Sequence, residues 1–87
     1  MVREVRYAIW FNGEVVKVVI DYGNNTILVT GPGYVVEYDY EMDVVEVSLT
    51  RLWYGISAYN DSAIENTLSM IEFIFRHGTL ISEEVVE

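Results

Sequence analysis

Residues 4–21 read EVRYAIWFNGEVVKVVID, two runs in which apolar residues alternate, joined by Asn12-Gly13. Both central residues of a type I′ turn need positive φ, which Asn and Gly tolerate, so the dipeptide predicts a two-residue hairpin. Pairing outward from it sets Phe11 opposite Glu14, Ile9 opposite Val16, Tyr7 opposite Val18 and Val5 opposite Ile20. One face is then almost wholly apolar. The other carries Trp10 with Val15, Ala8 with Lys17, Arg6 with Val19 and Glu4 with Asp21. A slip of one residue would invert every side chain, so the apolar face specifies the register.

The same logic continues downstream. Val16, Val18, Ile20 and Tyr22 face the core, and Gly23-Asn24-Asn25 supplies the next turn. Ile27 and Val29 face inward on a short strand that Gly31-Pro32-Gly33 reverses, because Pro presets φ and Gly accepts a positive one. With Pro32-Gly33 at the centre of that turn, Val29 meets Val36 and Ile27 meets Tyr38, with Tyr34 and Tyr40 on the same side. A two-residue turn at Met42-Asp43 would then pair Val45, Val47 and Leu49 with Tyr40, Tyr38 and Val36, and place Asp39 opposite Glu46.

Strands are thus expected over about 2–11, 14–22, 26–30, 34–41 and 44–53. A helix follows over about 62–77: Asp61 or Ser62 can cap it, Ser62 and Glu65 have capping-box spacing, and Gly78 stands where a helix would end. Ile64, Leu68, Ile71 and Phe75 fall on one stripe, widened by Met70 and Ile74. Phe73 lies on the opposite side, and the nearest residues to cover it are Leu80, Ile81, Val85 and Val86 of the tail, residues 79–87. The predicted fold is α+β, a five-stranded antiparallel up-and-down meander followed by one C-terminal helix packed on the sheet, in a single domain over residues 1–87.

Composition restricts the function classes. A chain of 87 residues buries only about 60 to 65% of its unfolded surface. It contains no Cys, which excludes thiolate nucleophiles and thiolate metal sites and favours a cytoplasmic address. The N-terminus, Met1-Val2-Arg3-Glu4-Val5-Arg6, has no continuous apolar run, and no membrane-spanning stretch is apparent. The absence of Gln and Cys fits a thermophilic source, a reading that five Asn oppose. Fourteen Asp and Glu against five Lys and Arg give a formal charge of -9. Direct nucleic-acid binding is disfavoured, because such binding draws its free energy from Lys and Arg set against phosphates. A strongly acidic chain is steered instead toward basic partners.

The densest acidic run is Glu37, Asp39, Glu41, Asp43 and Glu46. Like charges across strands are destabilising, so the run calls for a reason. Three compete: a solvated edge that discourages aggregation, a basic protein partner, or a hard cation such as Mg²⁺ or Ca²⁺. Glu37, Asp39, Glu41 and Glu46 are therefore the candidate partner-binding residues. His77, the only histidine, suits a helix C-terminus better than catalysis. No nucleophile elbow and no Gly-rich phosphate loop is present, so there is no positive support for an enzyme, and no cofactor is called for. The aromatic stretch from Leu52 to Tyr59 reads as packing of the connection into the helix, and Arg51 as the partner of an acidic neighbour.

Coverage argues for association. A helix of about fourteen residues is ~21 Å long and ~10 to 12 Å wide, whereas five strands span ~24 Å. The outer face carries Trp10, Val15, Val19, Leu28, Val35 and Val44, and exposed apolar patches mark association sites. Trp10, Val15, Val19, Leu28, Val35 and Phe73 are the expected interface of a homodimer. The functional expectation is a non-catalytic protein-protein interaction module, an acidic inhibitor or adaptor of a basic or nucleic-acid-handling partner. The alternative is a small-ligand or divalent-metal-binding domain, conceivably hydrolytic, centred on Asp39 and Glu46.

Overall fold

The computed structural model describes residues 3–49, 54–58 and 61–87, with the backbone alone for Tyr54–Ala58, Asp61 and Ala63. The strands are β1 (Glu4–Phe11), β2 (Glu14–Asp21), β3 (Thr26–Gly31), β4 (Tyr34–Asp39), β5 (Val44–Leu49) and β6 (Tyr54–Ala58), followed by helix α1 (Asp61–His77) and β7 (Thr79–Val86). They form one antiparallel sheet in the order β6-β5-β4-β3-β2-β1-β7. The expected five-strand meander is present, and each end of it gains a strand. The fold is α+β, with one helix packed on the sheet, and no described helix is long and apolar enough to cross a membrane.

The first hairpin has the register that its sequence implies, Phe11 opposite Glu14 through Glu4 opposite Asp21. Asn12 and Gly13 both take positive φ, 50° and 80°, as a type I′ turn requires. The second turn is held by Asp21, whose carboxylate accepts from the Gly23 amide at 2.9 Å, the Asn24 amide at 3.1 Å and the Asn24 side chain at 2.7 Å. These bonds, that from the Asn24 side chain foremost, lower the Asp21 pKa below the ordinary carboxylate value. At the third turn Gly33 has φ 78°, and Val29 meets Val36 as expected.

The inward parity holds in all five strands: Val5, Ile9, Val16, Val18, Val29, Val36, Tyr38 and Val45 are buried. Tyr22 and Tyr40, expected on that face, are exposed instead, because β2 ends at Asp21 and β4 at Asp39 and both rings belong to turns.

The helix buries Ile64, Thr67, Ile71 and Ile74. Its core stripe is therefore turned from the expected one, with Leu68 and Phe75 on the flank, 40% and 39% exposed. It lies across the strands. At its middle Thr67 and Met70 share an apolar groove with Val36 and Val47. Near its end Phe75 packs edge-on against Tyr7 and Phe73 edge-on against Phe11, so the C-terminal turn crosses β1 near Ile9. A helix of ~25 Å laid across strands ~4.8 Å apart reaches over about five of them, which resolves most of the coverage problem.

Gly78 ends the helix, by close approach and not by a left-handed conformation. A Cβ there would overlap Ile9 Cγ2 and lie 2.5 Å from the Ile74 carbonyl oxygen. Its amide donates to that carbonyl at 2.8 Å, and the chain turns at once into β7. The tail is thus a strand on β1, with a bulge between Ala8 and Ile9, and it lies in the sheet instead of over Phe73. Phe73 remains 53% exposed, with the His77 ring tilted 41° against it at 4.3 Å between centroids. The expectations for Arg51, for the stretch 50–53, for residue 59 and for the Asp61 side chain as a cap lie outside what the structure describes. Residues 54–58, expected as packing for the connection, pair with β5 as β6.

Candidate functional site: an acidic hairpin face

From Val18 to Thr50 the chain has no Lys, Arg or His and six Asp and Glu. The β4–β5 hairpin gathers five of the six, and its turn decides how they are used. Asp39 ends β4 with its carboxylate accepting from the amides of Glu41 and Met42, each at 3.0 Å, a local turn that Asp side chains favour. Asp43 closes it with φ 54° and accepts from the Tyr38 hydroxyl at 2.9 Å. Glu41 accepts from the Asn25 side chain at 2.7 Å, and the Tyr40 amide donates to the Asn25 carbonyl at 3.0 Å. Burial pushes the Tyr38 phenol above its ordinary pKa, and the bond to Asp43 adds to the effect.

The connection is accordingly two residues longer than the expected Met42-Asp43 turn, and the register moves by two. Val45 meets Tyr38, Val47 meets Val36, Glu37 stands opposite Glu46, and Asp39 stands opposite Val44. A shift of two keeps each side chain on its face. The sequence placed the carboxylates on the correct side and chose the wrong pair, since nothing in a hydrophobic pattern reports a side chain capping its own turn.

Glu37, Asp39 and Glu46 line one shallow hollow of about 230 Å³, completed by Met42 and Val44. Glu41, the fourth candidate, is turned toward Asn25 and does not line it. Met42 was not singled out from sequence; it is 72% exposed and forms an apolar lip on a carboxylate-lined surface. Among the described residues no three His, Cys, Asp or Glu side chains converge as a metal ion's ligands would.

Five of the six residues expected at an oligomer interface share the outer face. Trp10 and Val15 face each other and are 50% and 45% exposed, while Val19, Leu28 and Val35 are half-buried. Phe73, on the helix, lies on the opposite side of the sheet. Lys17 also points outward, opposite Ala8 and Thr30.

No family model matches this chain, and neither a curated protein nor a solved structure is detectably similar to it.

Proposed function

We propose that this chain is a non-catalytic protein-association domain whose acidic hairpin face receives a cationic protein surface. The observation that carries the reading is the like-charge pair Glu37–Glu46 on an exposed sheet face. Two carboxylates directly opposite one another cost stability in the free protein, and a cation placed over them converts that repulsion into attraction on both sides. Asp39 contributes its charge while it also holds the turn. The exposed Met42 and the neighbouring Val44 offer apolar contact to the stem of a lysine or arginine, which buries its methylenes readily. A small-ligand or divalent-metal site centred on Asp39 and Glu46 is the other reading of these carboxylates. The geometry supports it less, since Asp39 is committed to the amides of Glu41 and Met42 and stands opposite Val44.

Fluorescence anisotropy of a labelled oligolysine peptide tests the reading. Binding is expected to weaken as salt rises, because exposed charges are screened over ~10 Å at 0.1 M ionic strength, and to fall at least about tenfold in Glu37→Lys. Equal binding by the wild type and Glu37→Lys would remove the acidic face from the interaction.

A further inference from the structure

Of the five asparagines in the chain, Asn12, Asn24, Asn25 and Asn66 lie among the described residues, and the fold holds them differently. The Asn24 side chain donates to Asp21 and that of Asn25 to Glu41, each at 2.7 Å. Asn66 lies within α1 and is followed by Thr67, whose amide is held in the helical ladder. Asn12 has none of these restraints. It is exposed, as are Gly13 and Glu14, and its side chain bonds to none of the described residues. Gly13 follows it with φ 80° and no atom within 4 Å of where a Cβ would stand. In this two-residue turn the closing pair is Phe11 with Glu14, so the Gly13 amide takes no part in the ladder.

We propose that Asn12-Gly13 is a site of spontaneous deamidation, the first place at which this chain is covalently altered. Hydroxide removes the Gly13 amide proton, and the nitrogen attacks Asn12 Cγ. The N–Cγ bond forms, the Cγ–Nδ2 bond breaks, and ammonia leaves with a proton taken from water, which restores the hydroxide. Water then opens the succinimide ring at one of its two carbonyls. Cleavage of the new N–Cγ bond gives aspartate, whereas cleavage of the original C–N bond gives isoaspartate, with the main chain routed through Cγ. Water is consumed and ammonia released, and no other reactant is needed. Ring closure requires rotation about the Asn12 Cα–C bond, out of the turn conformation. Only the terminal Phe11–Glu14 pair has to loosen for that rotation, and Gly13 sets no side chain in the path of the attacking nitrogen.

The turn makes the product consequential. A type I′ hairpin closes over two residues of positive φ, here Asn12 and Gly13. An isoaspartyl link adds a carbon to the main chain between them and a negative charge to the formal -9. Phe11 and Glu14 then no longer close in register. Phe11 is the ring against which Phe73 packs edge-on at 5.7 Å between centroids, so the disturbance reaches the last turns of α1.

Peptide mapping by mass spectrometry of the folded protein, held in mildly alkaline buffer, tests the proposal, with electron-transfer fragmentation separating isoaspartate from aspartate. Conversion at Asn12 is expected to run at least about tenfold faster than at Asn24, Asn25 or Asn66, because only Asn12 precedes an unobstructed Gly amide. The rate rises with pH, isoaspartate is the main product, and the thermal midpoint of the sample falls as it accumulates. Asn12→Gly keeps a Gly-Gly turn of the same type and is expected to hold its midpoint over the same interval. An Asn12 that converts no faster than the other three, or only after urea has unfolded the chain, overturns the proposed site. An equal fall of midpoint in Asn12→Gly, or an unmoved midpoint in fully converted wild type, overturns the effect on the turn.

Discussion

The Tyr38 hydroxyl donates to the Asp43 carboxylate at 2.9 Å, joining the last buried ring of β4 to the far end of the turn that follows it. Together with the Asp39 cap, this bond sets the length of that turn and so brings Glu37 opposite Glu46. Tyr38→Phe keeps the buried ring and removes the donor. It is expected to destabilise the domain by about 1 kcal/mol, measured by urea unfolding, with the amide signals of Tyr40–Asp43 shifting most. An unchanged midpoint would show that the turn holds without the bond.

The phenols also set the alkaline limit. Burial raises Tyr7, Tyr34 and Tyr38 above the ordinary tyrosine value, reinforced by Glu83 at Tyr7, Glu14 at Tyr34 and Asp43 at Tyr38. A group whose folded pKa is raised contributes stability below its unfolded pKa, about 10, and that contribution is lost as pH rises through the folded value. At least three of the seven tyrosines are expected to ionise late in an ultraviolet absorbance titration, together with loss of far-ultraviolet circular dichroism. Normal titration of all seven in a fully folded protein would contradict this.

At the acid end the sign reverses. The folded-state pKa of Asp21 is lowered, first by the Asn24 side chain, so its stabilisation is present above the unfolded value near 4 and disappears as pH falls through the folded one. Asp21→Ala is expected to lower the thermal midpoint at neutral pH, and the gap from wild type should narrow below about pH 4. A gap independent of pH would mean that packing, not charge, is what the alanine removes.

Gly78 separates close approach from backbone conformation. Gly78→Ala is expected to cost about 1–3 kcal/mol despite the better helix propensity of Ala, because the Ile74 carbonyl oxygen beside the added methyl is backbone that cannot swing away. Gly13→Ala meets no atom within 4 Å, so its cost, about 1 kcal/mol, comes from positive φ alone. Chemical denaturation of the two variants checks the order, and a Gly78→Ala variant as stable as wild type would show that α1 can move off β1.

Much of this was legible in the sequence because turn chemistry and period-two alternation agree. Asn12-Gly13 and Pro32-Gly33 each predicted the observed pairing, Gly23-Asn24-Asn25 marked the turn between them, and parity carried the inner face to β5. What escaped was set by longer-range geometry. The tail strand β7 reads TLISEEVV, with no clean alternation to announce a strand, because its bulge falls in its first half and seven of its eight residues are exposed. Helix rotation was misjudged at Thr67, a polar residue that takes a core position no hydrophobic stripe would grant it. At the site, the acidic face was readable from parity, whereas the pair of carboxylates on it depended on Asp39 and Asp43 capping the turn.

The most direct test of the acidic face as a binding surface is to measure stability and oligolysine affinity together on Glu37→Gln, which removes one charge of the opposed pair and nothing from the turn. The account predicts a gain in unfolding free energy of about 0.2–1 kcal/mol with a weakened, less salt-dependent affinity. A gain in stability with affinity unchanged, or a loss of stability, would contradict it.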